Sequence, residues 1–461
     1  MPIVKSISGI RATIDELTKA FIAQNITAFH KLMPNGKIVI GRDGRLSGAW
    51  IEKYSALLLR KFGRDVDIIG VAPTPTVQLY VKNSDAVGGI VVTASHNPAT
   101  WNGLKLMNKD GIFLDADQNE KFDNIFSSIT QDYKNEIKSA NKQNYGVISY
   151  KGDAIIKHIE NILDIVFFKK IVPAIQSKKY KIVVDAVNAS GGEMLRRLFE
   201  ILDCTMIPLY CSDSGIFPHD PEPLTKNLPE LAKAVKDHNA DLGVAVDPDA
   251  DRLVLIDSTG TAIGEEKTIC VATQSLFELK KYSEKDFGDS VPKVVVNQST
   301  TQLIDDITKK YNAELFRSAV GEINVVKKMQ EVGAVIGGEG SGGVILPDSH
   351  YGRDSLIGTV LVLSLMAQKN ATLQEINSEY PVYEMQKNKI IFNGNFAELC
   401  EDIQNKFYNN KISKIDGLKI YFDNAWIHMR VSNTEPVVRI IAEAPSKSQI
   451  SDMMSKIKQL F

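Results

Sequence analysis

The chain has 461 residues, 44% of them hydrophobic and 24% charged, with a net charge of −2. That length is too great for one core and implies three or four domains. The balanced charge, with no basic arm and no aromatic–basic interleaving, argues against a nucleic-acid partner. Four cysteines (Cys204, Cys211, Cys270, Cys400) without metal-ligand or CxxC spacing indicate free thiols and a cytoplasmic setting. The first residues lack a charged segment followed by an apolar stretch, so no signal peptide is expected.

Three Val/Ile runs, beginning at Lys37, Lys181 and Lys293, read as buried strands. Each leads into a polar loop: GRDGRLS (41–47), DAVNAS (185–190) and NQST (297–300). A helix-like segment follows each loop. A second buried strand then starts at Gly89, at Gly243 and at Gly333. Continuous β-branched runs alternating with helical segments predict α/β units whose sheets are covered on both faces. The expected division is three related α/β domains at 1–150, 151–258 and 259–370. The apolar run Gly358–Ala367 is too short to span a bilayer and suits a buried helix or strand, so no membrane partner is expected. Residues 371–461 combine short strands near 387–392, 418–422, 426–430 and 437–442 with helix-like 396–409 and a final helix from Ser446. This predicts a small C-terminal α+β domain, with a hinge near Glu379–Tyr383 where Pro381 ends a helix.

The chemistry gathers where the second strands end. The first delivers Ser95 in TASHNP (93–98), with Lys105 close behind; the second delivers DPDADR (247–252); the third delivers GEGSGG (338–343). Ligands of open α/β sheets sit outside the carboxyl ends of strands, so the three loops can meet in one cleft. Asp247, Asp249 and Asp251 can project from one side of an extended segment. Each unpaired like-charge contact near 4 Å costs roughly 1–4 kcal/mol, depending on the dielectric. A divalent cation removes that cost, and all-oxygen donors favour Mg²⁺ over zinc. The plainer readings are a solvated acidic turn or a calcium loop. A phosphate on Ser95 would supply a further oxygen ligand. Arg252 could steady a phosphate or orient an aspartate.

Arg430 and Arg439 flank RVSNTEP (430–436), where Ser432, Asn433 and Thr434 add donors. Two guanidiniums can grip a phosphate bidentately; the alternative is an ordinary turn between strands. GEGSGG lacks a P-loop lysine, which argues against nucleotide binding. Glu339 and Ser341 suit sugar hydroxyls, unless the loop is only a tight turn. Arg11, in Gly-Ile-Arg (9–11), is assigned to the site, whereas the arginines of GRDGRLS read as surface ion pairs.

Taken in order, Gly-Ile-Arg (9–11), GRDGRLSG (41–48), TASHNP (93–98), FPHDPEP (217–223), DPDADR (247–252), GEGSGG (338–343) and RVSNTEP (430–436) resemble the α-D-phosphohexomutase superfamily over essentially the whole chain. The resemblance implies three α/β domains and a TATA-box-binding-protein-like C-terminal domain around a central cleft. It implies a phosphoserine at Ser95, one Mg²⁺ on Asp247, Asp249, Asp251 and Ser95, and catalytic roles for Arg11, His96, Lys105 and Arg252. Glu339 and Ser341 would contact the sugar. Arg430, Ser432, Asn433, Thr434 and Arg439 would hold the non-reacting phosphate. Glu322 lies in the family's specificity loop, and an acidic residue there resembles phosphoglucosamine mutases, where a carboxylate would favour a protonated 2-amino group; the alternative is a solvent-facing glutamate.

One departure stands out. Many members end the sugar loop in Gly-His, whereas this chain has Gly343, and His350 nearby reads as a surface histidine. The general base is therefore open. The implied reaction interconverts glucosamine 6-phosphate and glucosamine 1-phosphate through a hexose 1,6-bisphosphate, in a monomer or homodimer. The alternatives are a phosphomannomutase/phosphoglucomutase and a non-catalytic phosphosugar sensor.

Overall fold

The computed structural model describes residues 3–7, 9–129, 133–139, 144–279, 291–431 and 437–460. Among them the chain forms four sheets. Ile38, Val39 and Ile40 are all fully buried, as a β-branched strand covered on both faces requires. The first sheet holds β1 (Ile3–Ser6), β2 (Gly9–Thr13), β3 (Lys37–Arg42), β4 (Val66–Val71), β5 (Ala86–Val92), β6 (Trp101–Asn108) and β7 (Ile148–Tyr150). Its order is β1-β2-β6-β5-β3-β4-β7. The second holds β8 (Lys181–Asp185), β9 (Thr205–Tyr210), β10 (Leu242–Val246) and β11 (Leu253–Asp257), in the order β11-β10-β8-β9. The third holds β12 (Lys293–Asn297), β13 (Glu314–Ser318), β14 (Ile336–Glu339) and β15 (Gly343–Ile345), in the order β13-β12-β14-β15.

One arrangement thus recurs three times: β6-β5-β3-β4, β11-β10-β8-β9 and β15-β14-β12-β13. Three neighbours are parallel in each, and the fourth strand returns antiparallel. The return strand is what the sequence reading lacks. It makes Ser95, the three aspartates and the glycine loop equivalent hairpin turns at the same end of related sheets.

The second and third sheets share one apolar core. The run at Gly358–Ala367 belongs to the helix Ser355–Lys369, buried throughout Ser355–Ala367, as expected of a helix apolar on all sides. No helix among the described residues is long and apolar enough to cross a membrane. The helix Leu373–Ser378 puts Leu373 and Ile376 into this same core, and Tyr380 donates to Gln274 Oε1 at 2.6 Å. Residues 371–380 therefore pack with the third sheet, not with the last unit, because their apolar side chains find their partners there.

The fourth sheet holds β16 (Glu384–Ile391), β17 (Ile412–Ser413), β18 (Leu418–Phe422), β19 (Ala425–Val431) and β20 (Val437–Ala444). It is antiparallel in the order β16-β20-β19-β18-β17. The helices Phe396–Lys406 and Lys447–Lys458 contribute Leu399, Ile403, Ile450, Met453 and Ile457 to a separate core with it.

His350 is buried, which corrects its reading as a surface residue. Its Nε2 lies 3.2 Å from Asp354 Oδ2, and His158 Nε2 lies 2.8 Å from the same oxygen. Thr76 Oγ1 meets His158 Nδ1 at 2.9 Å. Asp354 Oδ1 also accepts from Leu356 N at 2.8 Å and so caps the buried helix. The carboxylate thus joins His158 to the segment before the buried helix, and His158 in turn meets Thr76 of the first unit. Burial opposes its ionisation, but His158 and His350 hold it below the usual carboxylate range.

Asp354→Ala is expected to lower the urea midpoint of unfolding, with a loss of about 3 kcal/mol for a broken buried pair. Because the folded-state pKa is depressed, this contribution is complete above the unfolded carboxylate value and fades below about pH 4. The gap between wild type and variant should therefore narrow on acidification. Equal midpoints at pH 7 would contradict this role.

Candidate active site

The loop after β5 is built to present Ser95. Arg45, buried to 1% exposure, lies beneath it. Its Nη2 donates to Ser95 O and Asn97 O, both at 2.6 Å, and its Nη1 to Pro98 O at 2.7 Å and Trp101 O at 3.0 Å. Asp43 holds Arg45 Nε at 3.0 Å and accepts from Thr93 Oγ1 at 2.6 Å. The arginines of GRDGRLS are thus not all surface ion pairs: four carbonyls of the loop turn inward onto Arg45. Ser95 adopts a left-handed backbone with φ 51°, a strained conformation for a non-glycine residue that surrounding contacts must hold.

Ser95 Oγ donates to Asp247 Oδ2 at 3.0 Å across the gap between the first two sheets. Asp247, Asp249 and Asp251 are fully buried, and one oxygen from each lies within 4.8 Å of the others. Lys105 on β6 is 2% exposed and donates to Asp249 Oδ2 at 2.6 Å and Asp251 Oδ2 at 2.8 Å. Thr74 Oγ1 also donates to Asp249 Oδ2, at 2.6 Å. Asp249 Oδ1 and Asp251 Oδ1 are buried without a hydrogen-bond partner. Buried carboxylate oxygens left open are costly, and hard oxygen donors turned to a common point suit a divalent cation such as Mg²⁺. Burial, and then its two neighbouring carboxylates, push Asp247 well above the usual carboxylate range.

A cavity of about 610 Å³ opens beside this cluster. Arg11, His96, Arg252, Glu322, Glu339, Ser341, Arg430 and Arg439 all line it. Arg11 Nη1 donates to Asn97 Oδ1 at 2.9 Å. Arg252 Nε lies 4.0 Å from Asp247 and 3.9 Å from Asp251. His96 Nδ1 lies 3.4 Å from Ser95 Oγ. Burial, reinforced by Arg252 and Arg11, lowers His96 well below its ordinary value. Glu339 Oε1 accepts from Asn297 Nδ2 at 2.9 Å and Gly321 N at 3.1 Å. Arg430 and Arg439 face each other across β19 and β20. Ser432, Asn433 and Thr434 lie outside the described residues.

Domain models for phosphoglucomutase/phosphomannomutase match the chain as α/β/α domain I at 4–133, domain II at 156–260 and domain III at 265–383, and as the C-terminal domain at 375–460. The chain belongs to the α-D-phosphohexomutase superfamily. It is similar to a phosphoglucomutase/phosphomannomutase of Thermococcus kodakarensis, 33% identical over 97% of this chain and 95% of that protein. It is also similar to a phosphoglucosamine/phosphogalactosamine mutase of Sulfurisphaera tokodaii, 29% identical over 98% and 97% of the two chains. The crystal structure of a phosphoglucomutase/phosphomannomutase family protein from Burkholderia thailandensis superposes with a TM-score of 0.81, at 25% identity, covering 99% of this chain and 97% of that one. This phosphohexomutase is an isomerase that moves a phosphoryl group within a sugar phosphate.

Several residues of the site escape sequence reasoning. Glu222 of FPHDPEP lines the cavity and lies 3.7 Å from Arg252 and 3.9 Å from His96. Lys387 on β16 also lines it and pairs with Glu265 at 3.0 Å and Glu266 at 2.9 Å. Arg353 touches three of the site's carboxylates and has no motif of its own. Glu322, read as a reader of a protonated amine or as solvent-facing, is buried with Oε2 3.0 Å from Arg353 Nε and Oε1 3.3 Å from Gln78 Nε2. Its charge is already engaged.

Calorimetric titration with Mg²⁺ is expected to show one site. Asp249→Asn should weaken binding by about tenfold or more. Binding unchanged in Asp249→Asn would show that the aspartates are not the ligands.

Proposed function

We propose that this phosphohexomutase interconverts glucosamine 6-phosphate and glucosamine 1-phosphate, with a phosphoserine at Ser95. The hydrogen bond from Ser95 to Asp247, on the rim of an arginine-lined cavity, carries the reading. Asp247, Asp249 and Asp251, with an oxygen of the Ser95 phosphate, would hold Mg²⁺, which would supply Lewis-acid polarisation of the phosphoryl group.

The free hydroxyl of the bound sugar attacks the Ser95 phosphorus, the bond from phosphorus to Ser95 Oγ breaks, and a 1,6-bisphosphate forms. The hydroxyl proton ends on Ser95 Oγ as its bond to phosphorus breaks, and His96 Nδ1, 3.4 Å from that oxygen, is placed to deliver it. After the bisphosphate turns over, Ser95 Oγ attacks the other phosphate and the alcohol product leaves. Lys105, Arg252 and Arg11 offset charge at the reacting phosphate, where positioning and neutralisation matter more than covalent help. Glu339 and Ser341 orient the sugar hydroxyls. Arg430 and Arg439, with Ser432, Asn433 and Thr434, hold the non-reacting phosphate. Exclusion of water when substrate binds would protect the phosphoserine from hydrolysis.

The glucosamine substrate is supported by the similarity to a phosphoglucosamine/phosphogalactosamine mutase. A second reading, glucose and mannose phosphates, is favoured by the contact of Glu322 with Arg353, which leaves that carboxylate little net charge for an ammonium group. The mutase reaction is the same in both. We place the protein in the cytoplasm, as a monomer or homodimer.

Ser95→Ala is expected to reduce mutase turnover by about a thousandfold or more with correct folding, as loss of a covalent nucleophile does. Wild-type turnover in that variant would overturn the mechanism. A panel of glucosamine, glucose and mannose phosphates, each with its 1,6-bisphosphate, should give the highest kcat/KM for glucosamine. A higher value for glucose or mannose would select the second reading.

A further inference from the structure

Arg353 is buried in the wall of the cavity, with 8% of its side chain exposed. Each of its three guanidinium nitrogens donates to a different carboxylate. Nε reaches Glu322 Oε2 at 3.0 Å, Nη1 reaches Glu339 Oε2 at 2.8 Å, and Nη2 reaches Asp251 Oδ2 at 2.7 Å. Asp251 stands in the hairpin between β10 and β11. Glu339 ends β14, and Glu322 opens the helix Glu322–Val332. One planar group therefore spans the phosphoryl end and the sugar end of the site.

The space for it exists because position 343 is glycine. A Cβ built on Gly343 would overlap Arg353 Cδ and crowd Cγ. The glycine that looks like a missing histidine is the seat of the arginine side chain.

We propose that Arg353 is a positioning residue that fixes the spacing between the Ser95/aspartate end and the sugar-binding Glu339, and that Gly343 is its necessary partner. This rests on the reading of Ser95 and Glu339 given under Proposed function. With Arg353 and Lys105 both on Asp251 Oδ2, the carboxylate is turned so that Oδ1 stays open. With Arg353 on Oε2 and Asn297 and Gly321 on Oε1, Glu339 can present its remaining lone pairs in one orientation only. A lysine at 353 keeps the charge but loses the rigid three-way fork. An error of about 1 Å between reacting groups can cost roughly a hundredfold in rate.

The test uses full-length enzyme with Mg²⁺, its Ser95 phosphorylated by the sugar bisphosphate and then mixed with sugar monophosphate in a single turnover. Arg353→Lys and Arg353→Ala should each slow phosphoryl transfer by roughly a hundredfold, while the sugar phosphate dissociation constant stays within a few-fold, because the phosphate grip at Arg430 and Arg439 is untouched. Gly343→Ala should slow transfer by displacing Arg353. Combined with Arg353→Ala it should add no further loss, since the overlap is gone. A purely structural arginine would give losses that multiply, tolerate lysine, and weaken binding along with rate. Wild-type transfer in Arg353→Lys, or multiplicative losses in the double variant, would overturn the inference and leave the phosphoserine reading intact. Wild-type enzyme that turns over sugar phosphates without phosphate on Ser95 would overturn both. Should Arg353→Ala fail to fold, Arg353→Lys and Gly343→Ala alone decide: full-rate transfer in either contradicts the proposal.

Discussion

Three aspartates within five residues, all removed from water, are the constraint on which the structure turns. Buried like charges persist only if cations meet them, and here the cations come from other parts of the chain. Lys105 arrives on a return strand of the first sheet and Arg353 from the loop before the buried helix. Burial works against ionisation of Asp251, but Arg353, Lys105 and Arg252 hold it well below the usual carboxylate range. The reverse holds for Arg353: despite burial, Asp251, Glu339 and Glu322 keep it charged. The convergence of three sheets on one point is thus the condition for neutralising the acidic loop as well as the means of building a site.

The threefold repeat of strand order makes that convergence geometrically simple. Each unit ends its second parallel strand in a hairpin, and the hairpins carry a hydroxyl, a carboxylate cluster and a glycine loop. The fourth sheet docks differently. The polar loop after β12 receives it: Ser299 meets His428 at 2.9 Å, Gln298 donates to Ser413 at 2.6 Å, and Lys419 donates to Gln298 O at 2.7 Å. Glu443 accepts from Gln302 N at 2.7 Å and Trp426 Nε1 at 2.6 Å. The contacts across this surface are polar.

What could be read from the sequence was whatever sits in short strings. The Asp247–Asp251 spacing, the strand before Ser95 and the paired arginines at 430 and 439 each carry their chemistry locally. The residues that escaped act at a distance. Arg45 looks like a surface arginine until the folded loop turns four carbonyls onto it. His350 has no local partner, and its burial depends on Asp354 and on the closeness of His158 from a distant helix. Gly343 reads as an absent histidine until Arg353, ten residues on, folds back over it. Glu322 is assigned a ligand by its type, yet its nearest cation is protein. Pairings between distant segments are set by tertiary packing, and no periodicity in one chain reports them.

The mechanism requires that Ser95 carry the travelling phosphate. The direct measurement is peptide mass mapping of the full-length enzyme after incubation with Mg²⁺ and a sugar 1,6-bisphosphate, repeated after a chase with sugar monophosphate. The added mass of one phosphoryl group is expected on the peptide containing Ser95 in the first sample and its loss in the second. A phosphoryl group on another residue, or an unmodified Ser95 in enzyme that turns over, would contradict it.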